Sequence, residues 1–181
     1  MSMKHNNHQG EYKVLVVDPP WPLRKIERKV RPNQVGFDYP MMSLEEIRDF
    51  KLVRDLAAPD SMCFLWAVQK YLPDAFNILA DWGFRYARTL TWDKQNGLVL
   101  QGFHNRTEFV LVGYKGHSPV YLEGKAVPTV FAESSWRKHS VKPDIFYSLI
   151  ERFGEPRIDI FARRYREGWD VWGDEVKEAL P

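Results

Sequence analysis

The chain has 181 residues, 44% of them hydrophobic, and its 26 basic and 24 acidic side chains leave a formal charge of only +2. That length and apolar content suit one domain with a buried core and exclude a mainly disordered chain, while the small net charge excludes a polycation acting through total charge. Cys63 is the single cysteine, so an internal disulfide is excluded and a reducing, cytoplasmic setting is expected. Residues 1–12 read as a polar tail without a secretory signal and 13–181 as a single domain. No stretch is long and apolar enough for a bilayer, and the scattered histidines offer no metal-ligand spacing, so neither a membrane nor a metal is expected.

In chain order, the apolar run Val14-Leu15-Val16-Val17 predicts a buried first strand over 13–17, followed by a long loop over 19–42. Ser43-Leu44-Glu45-Glu46 matches a capping box and predicts a helix to about Leu56, ending before Ala58-Pro59. A buried strand is expected over 61–67. Pro73 suits the first turn of a second helix, whose apolar positions Ala75, Phe76, Ile78 and Leu79 lead to Gly83 as a stop. Strands are expected over 85–93, 108–114 and 128–131, then a helix over 143–153 closed by Gly154, a strand over 157–161 and a last extended piece over 169–172. Strands alternating with helices predict an α/β fold: a three-layer sandwich with a mixed, mostly parallel sheet.

Asp18-Pro19-Pro20-Trp21, at the end of the first strand, carries the most chemistry. Neither proline has an N–H, so the carbonyls of Asp18 and Pro19 are expected in a stiff turn as acceptors for an NH2 group. Trp21 would add a flat face for a nucleobase, although the tetrapeptide equally suits a rigid strand-to-loop turn with a core tryptophan. In such sheets ligands bind beyond the carboxyl ends of the strands. Three loops there are basic: Arg24, Lys25, Arg28, Lys29 and Arg31; Arg137, Lys138, His139 and Lys142; and Arg163, Arg164 and Arg166. Converging around Asp18 they would form a rim for phosphates; taken singly, each is a solvated surface.

Further landmarks follow in order: Tyr39-Pro40, Phe64-Leu65-Trp66, Thr91-Trp92 with Lys94, Glu108, Ser140-Val141-Lys142-Pro143-Asp144, Asp159-Ile160-Phe161-Ala162-Arg163 and Trp169-Asp170-Val171-Trp172-Gly173. Over nearly its whole length the chain resembles the S-adenosylmethionine-dependent adenine-N6 methyltransferases of the permuted (beta) class, a family that includes the mRNA adenosine methyltransferase catalytic subunit and bacterial and phage relatives. The resemblance implies a Rossmann-like methyltransferase fold and S-adenosylmethionine as cofactor. It assigns Asp18, Pro19, Pro20, Trp21 and Tyr39 to catalysis, with Asp18 and the Pro19 carbonyl accepting from the adenine amine while Trp21 and Tyr39 hold the flipped base.

By the same resemblance Lys142 pairs with the methionine carboxylate, Asp159 accepts from the ribose hydroxyls, and Asp18, Arg163, Tyr165, Gly173, Asp174 and Glu175 complete the cofactor site. Asp159 also suits a strand-end carboxylate paired with Arg157 or Arg163. The chain departs from the family where Asp159 replaces the usual glutamate, Asp174 the usual asparagine, and Tyr165-Arg166 a histidine-asparagine pair. Nucleic acid is the implied partner, DNA ahead of RNA, with recognition by the loops over 22–39 and 94–106, aided by a homodimer or a partner subunit. A non-catalytic partner of such an enzyme is the alternative, opposed by the intact tetrapeptide and Lys142; an enzyme acting on cytosine is a third, opposed by Asp18, where that class carries serine.

Overall fold

A computed structural model of the protein describes residues 10–23, 41–117, 126–134 and 142–173. Seven strands form one sheet, β1 (Tyr12–Val17), β2 (Ala57–Ala67), β3 (Arg85–Leu100), β4 (Phe103–Lys115), β5 (Val130–Ala132), β6 (Arg157–Ile160) and β7 (Asp170–Trp172), in the order β5-β3-β4-β2-β1-β6-β7. The β1–β2, β1–β6, β3–β5 and β6–β7 pairs are parallel, and β4 runs antiparallel to β2 and β3. The expected mixed, mostly parallel sheet is therefore present. From β1 the chain builds outward on the β2 side before returning to add β6 on the other, so a topological switch point lies at the carboxyl ends of β1 and β6.

Strict alternation along the strands divides the core in two. Leu15, Val17, Cys63, Leu65, Leu111, Ile158 and Ile160 pack with α1 (Leu44–Arg48), α2 (Leu52–Leu56) and α3 (Leu72–Asp81). On the opposite face Val14, Val16, Phe64, Trp66, Val110 and Val112 pack with Phe146, Tyr147 and Ile150 of α4 (Asp144–Ile150). Two layers of helix thus enclose the sheet.

Several element bounds differ from the sequence reading. The helix expected from Ser43 to Leu56 is split: its capping box forms, with Ser43 and Glu46 exchanging side-chain bonds to each other's backbone N–H, but α1 stops at Asp49. Phe50 then turns inward to tilt against Phe161 and Trp172, and α2 begins afresh. Aromatic burial outweighs helix continuity there. The helix expected over 143–153 ends as α4 at Ile150 and finishes in a 3-10 turn, closed by Gly154 at φ 123°. The largest difference lies between 93 and 108, where β3 and β4 continue as a hairpin instead of yielding to a loop.

Gly113 on β4 faces α3, and a Cβ there would lie 2.9 Å from Phe84 Cβ and 3.0 Å from a Leu79 methyl. Both neighbours are fully packed. Gly113→Ala is therefore expected to lower unfolding free energy by about 1–3 kcal/mol through overpacking, measured by urea denaturation.

Candidate active site

Alternation along the strands also assembles the site. Asp18 continues the parity of Val14 and Val16, Glu108 that of Val110 and Val112, and Asp159 lies between inward Ile158 and Ile160, so all three carboxylates fall on the α4 face. In register, Val16 pairs with Asp159 and Val17 with Ile160, and the Asp18 N–H donates to the Ile160 carbonyl at 3.2 Å. The switch point therefore holds Asp18 and Asp159 side by side.

Lys142, just before α4, closes the group. Its ammonium lies 3.2 Å from Asp18 Oδ1 and 2.9 Å from Glu108 Oε2, and 4.6 Å from the centre of the Trp66 ring. The side chains of Lys142 and Asp18 are only 13% and 14% exposed. Glu108 also receives Lys94 Nζ at 3.2 Å, so a chain of alternating charge runs Asp18–Lys142–Glu108–Lys94. Burial opposes the charges on Asp18, Lys142 and Glu108. For Asp18 burial prevails and raises its pKa despite Lys142 and Arg163. For Glu108 burial is outweighed by Lys142 and Lys94, which together hold its carboxyl below the ordinary range. Lys142 is pushed down by burial but raised overall by Asp18 and Glu108. Of the two carboxylates on Lys142, Asp18 is thus the readier to take a proton, and Lys142 stays cationic.

Asp159 is buried, and its Oδ2 accepts from the Tyr147 hydroxyl at 2.7 Å. Arg157 does not provide that bond; it meets Glu155 and backbone carbonyls. Burial, moderated by the Tyr147 bond, raises the Asp159 pKa to about 7. Asp18, Lys142, Tyr147, Asp159, Phe161, Ala162, Arg163 and Arg164 line one cleft. Phe161 takes φ 65°, an uncommon conformation for an aromatic residue, directly after β6. Beside it Gly173 closes on Ala162 so tightly that a Cβ would fall 2.5 Å from the Ala162 oxygen.

The residue model of the MT-A70 family matches positions 12–175. The chain belongs to the MT-A70 family. It is 26% identical to the Mycoplasma protein "Type II methyltransferase M.MunI" over 93% of this chain and 79% of that one. It is 28% identical to "N6-methyladenosine RNA methyltransferase MTA1" of Pyricularia oryzae and 23% to human "N(6)-adenine-specific methyltransferase METTL4", over 91% and 94% of this chain but only 47% and 38% of theirs. MT-A70 methyltransferases use S-adenosylmethionine. Two carboxylates, a lysine and two arginines around one cleft fit that molecule's diol, sulfonium, ammonium and carboxylate groups.

Of the residues expected from sequence in this MT-A70 chain, Asp18, Lys142, Asp159 and Arg163 meet at the cleft, with Gly173 behind its wall. Tyr165 is half exposed and does not line it. Tyr39, Asp174 and Glu175 lie outside the described residues, as do the basic loops over 24–31 and 137–139. One expectation is corrected. Trp21 is 5% exposed: its ring stacks at 5.7 Å on Tyr71 and its Nε1–H donates to the Trp66 carbonyl, so it offers no open face to a base. The Pro19 carbonyl is already engaged by the Trp21 N–H at 2.8 Å, leaving one of its two lone pairs. The third basic cluster is likewise occupied in part, since Arg164 and Arg166 both pair with Asp144.

Sequence reasoning missed the roles of Glu108 and Tyr147. Glu108 was recognisable as a carboxylate on the inward parity of an apolar strand; Tyr147, one aromatic among many, carried no such mark. Removing the shared cation should be costly: Lys142→Ala is expected to destabilise the fold by on the order of 3 kcal/mol at pH 8. The deficit should shrink toward pH 5, because Asp18, which loses its salt-bridge partner while Glu108 keeps Lys94, then has a pKa raised further and the variant folds more readily when Asp18 is protonated. Chemical denaturation at both pH values measures this.

Proposed function

We propose that this MT-A70 chain transfers a methyl group to the exocyclic N6 of adenine in nucleic acid, with DNA ahead of RNA. The observation that carries this reading is the Asp18–Asp159 pair at the β1/β6 switch point, bridged to a buried Lys142. The type II designation of M.MunI, which the chain matches along most of its length, supports DNA; the naming of MTA1 for RNA keeps that polymer as the second reading.

When bound, S-adenosylmethionine would supply an electrophilic methyl. Adenine N6 is a poor nucleophile because its lone pair is delocalised into the ring. Asp18, with the free lone pair of the Pro19 carbonyl, would accept from the N6 hydrogens and favour a tetrahedral nitrogen, an interaction that strengthens as positive charge develops. The raised pKa of Asp18 suits it to take up the departing proton, directly or through water. Lys142 fixes the Asp18 carboxylate and would spend its remaining N–H on the methionine carboxylate. Asp159, oriented by Tyr147, would accept from the ribose hydroxyls.

Incubation with labelled S-adenosylmethionine and matched DNA and RNA should give N6-methyladenine, and Asp18→Ala should lower its formation by about 100-fold or more. Product surviving that substitution undiminished would remove Asp18 from catalysis. Cofactor binding should also depend on pH. An ionised carboxylate accepts more strongly from the two ribose hydroxyls than a protonated one, and Asp159 protonates below about 7, so affinity by calorimetry is expected to be weaker at pH 6 than at pH 8, by up to about tenfold. Asp159→Asn should flatten that difference.

A further inference from the structure

Past the Trp92–Glu108 pair, β3 and β4 outrun their neighbours as a two-stranded arm, paired Leu98–Asn105, Val99–His104 and Leu100–Phe103. Gln101 and Gly102 form its tip with φ 50° and 81°, the two positive values of a tight turn matched to strand twist. The arm's root is pinned. Extra β3 residues between Asp93 and Leu98 make a bulge in which the Asp93 carboxylate accepts from Arg106 and from the Gln95 N–H. At Gly97 a Cβ would fall 2.3 Å from the Asn105 carbonyl oxygen, so the strands touch through bare backbone. Bulges of this kind re-aim a strand pair.

Three features suggest what the arm meets. Residues 94–107 carry four side-chain amides and His104, groups suited to reading base edges, while Lys94 and Arg106 are held at the root by Glu108 and Asp93. The tip leaves Phe103 74% and Val99 63% exposed. Finally, the arm springs from the site itself, because Lys94 and Glu108 at its root are the outer members of the charge chain that ends at Asp18. Strand rise places Phe103 roughly 17 Å along the chain from Glu108, enough to cross a major groove.

A paired adenine cannot present N6 to Asp18 without leaving the stack, and Trp21, buried on Tyr71, is not available to receive or replace it. We propose that the β3–β4 arm enters a groove of duplex nucleic acid and that Phe103 wedges into the base stack, filling the gap left as the target adenine turns toward Asp18. This rests on the adenine-methyltransferase reading of the site. Apolar wedges of this type offset lost stacking and hold the duplex open.

Phe103→Ala is expected to slow methylation of an adenine in duplex DNA by about tenfold or more, while the same adenine in a single strand is methylated within about twofold of the unaltered protein. Phe103→Trp should restore the duplex reaction. In parallel, a photoreactive benzoylphenylalanine at position 103 should crosslink to duplex DNA. Equal loss on both substrates, no loss on either, or crosslinks formed only with a second copy of the chain would overturn the wedge. If the unaltered protein methylates neither DNA nor RNA, the reading of the site fails instead, and the crosslink still decides what the arm meets.

Discussion

The buried ammonium of Lys142 is the constraint on which the site depends. Asp18 and Glu108 come from different strands, β1's end and β4, and without a cation between them two carboxylates would share an apolar face with Phe64, Trp66 and Phe146. Such an arrangement would drive one of them to protonate or push the elements apart. Lys142 ties both to the entrance of α4, with the Trp66 ring beneath it. The position of α4, the orientation of Asp18 and the fixed shape of the cleft are therefore one electrostatic arrangement. Lys94 extends it to the opposite side of Glu108, so the hairpin arm is coupled to the same group.

That arrangement also separates two carboxylates that sit side by side. Asp18 has a lysine within salt-bridge distance, whereas Asp159 has a neutral tyrosine hydroxyl. Burial raises both, but the partner differs, and so does the task each can perform. A carboxylate clamped by a cation is held in place for directed acceptance. One balanced near neutrality by a phenol responds readily to two incoming hydroxyls, which would favour its ionised form.

Much of this was legible in the chain itself. The run Val14 to Val17 ending in Asp18-Pro19-Pro20 and the alternation of strands and helices put Asp18 at a strand end, and the family resemblance carried by the order of landmarks grouped it with Lys142 and Asp159. What was hidden is physically of one kind: choices made by tertiary contacts. Trp21 faces inward because Tyr71 and the Trp66 carbonyl, some 45 to 50 residues away, satisfy its ring and its N–H. The helix from Ser43 breaks because Phe50 finds two aromatic partners from the far end of the chain. Residues 94–107 carry glycines and amides that read as a loop, and become a hairpin only because a pinned bulge lets two strands continue past the sheet.

The burial of Trp21 changes where aromatic contacts to a base must come from. If the tetrapeptide gave both acceptors and a stacking face, the site could serve any strand that delivered an unpaired base. With the ring taken into the core, the tetrapeptide would keep only the proposed acceptor function, and control of base stacking would pass to residues outside it. Among the described residues, the large hydrophobic side chain with the greatest exposure is Phe103, at the end of an arm rooted in the site's own charge chain. On the proposed reading, catalysis and access to the base would be divided between two parts of one sheet: the parallel switch point, which would hold the reacting groups, and the antiparallel hairpin, which would reach out to the polymer that carries the adenine.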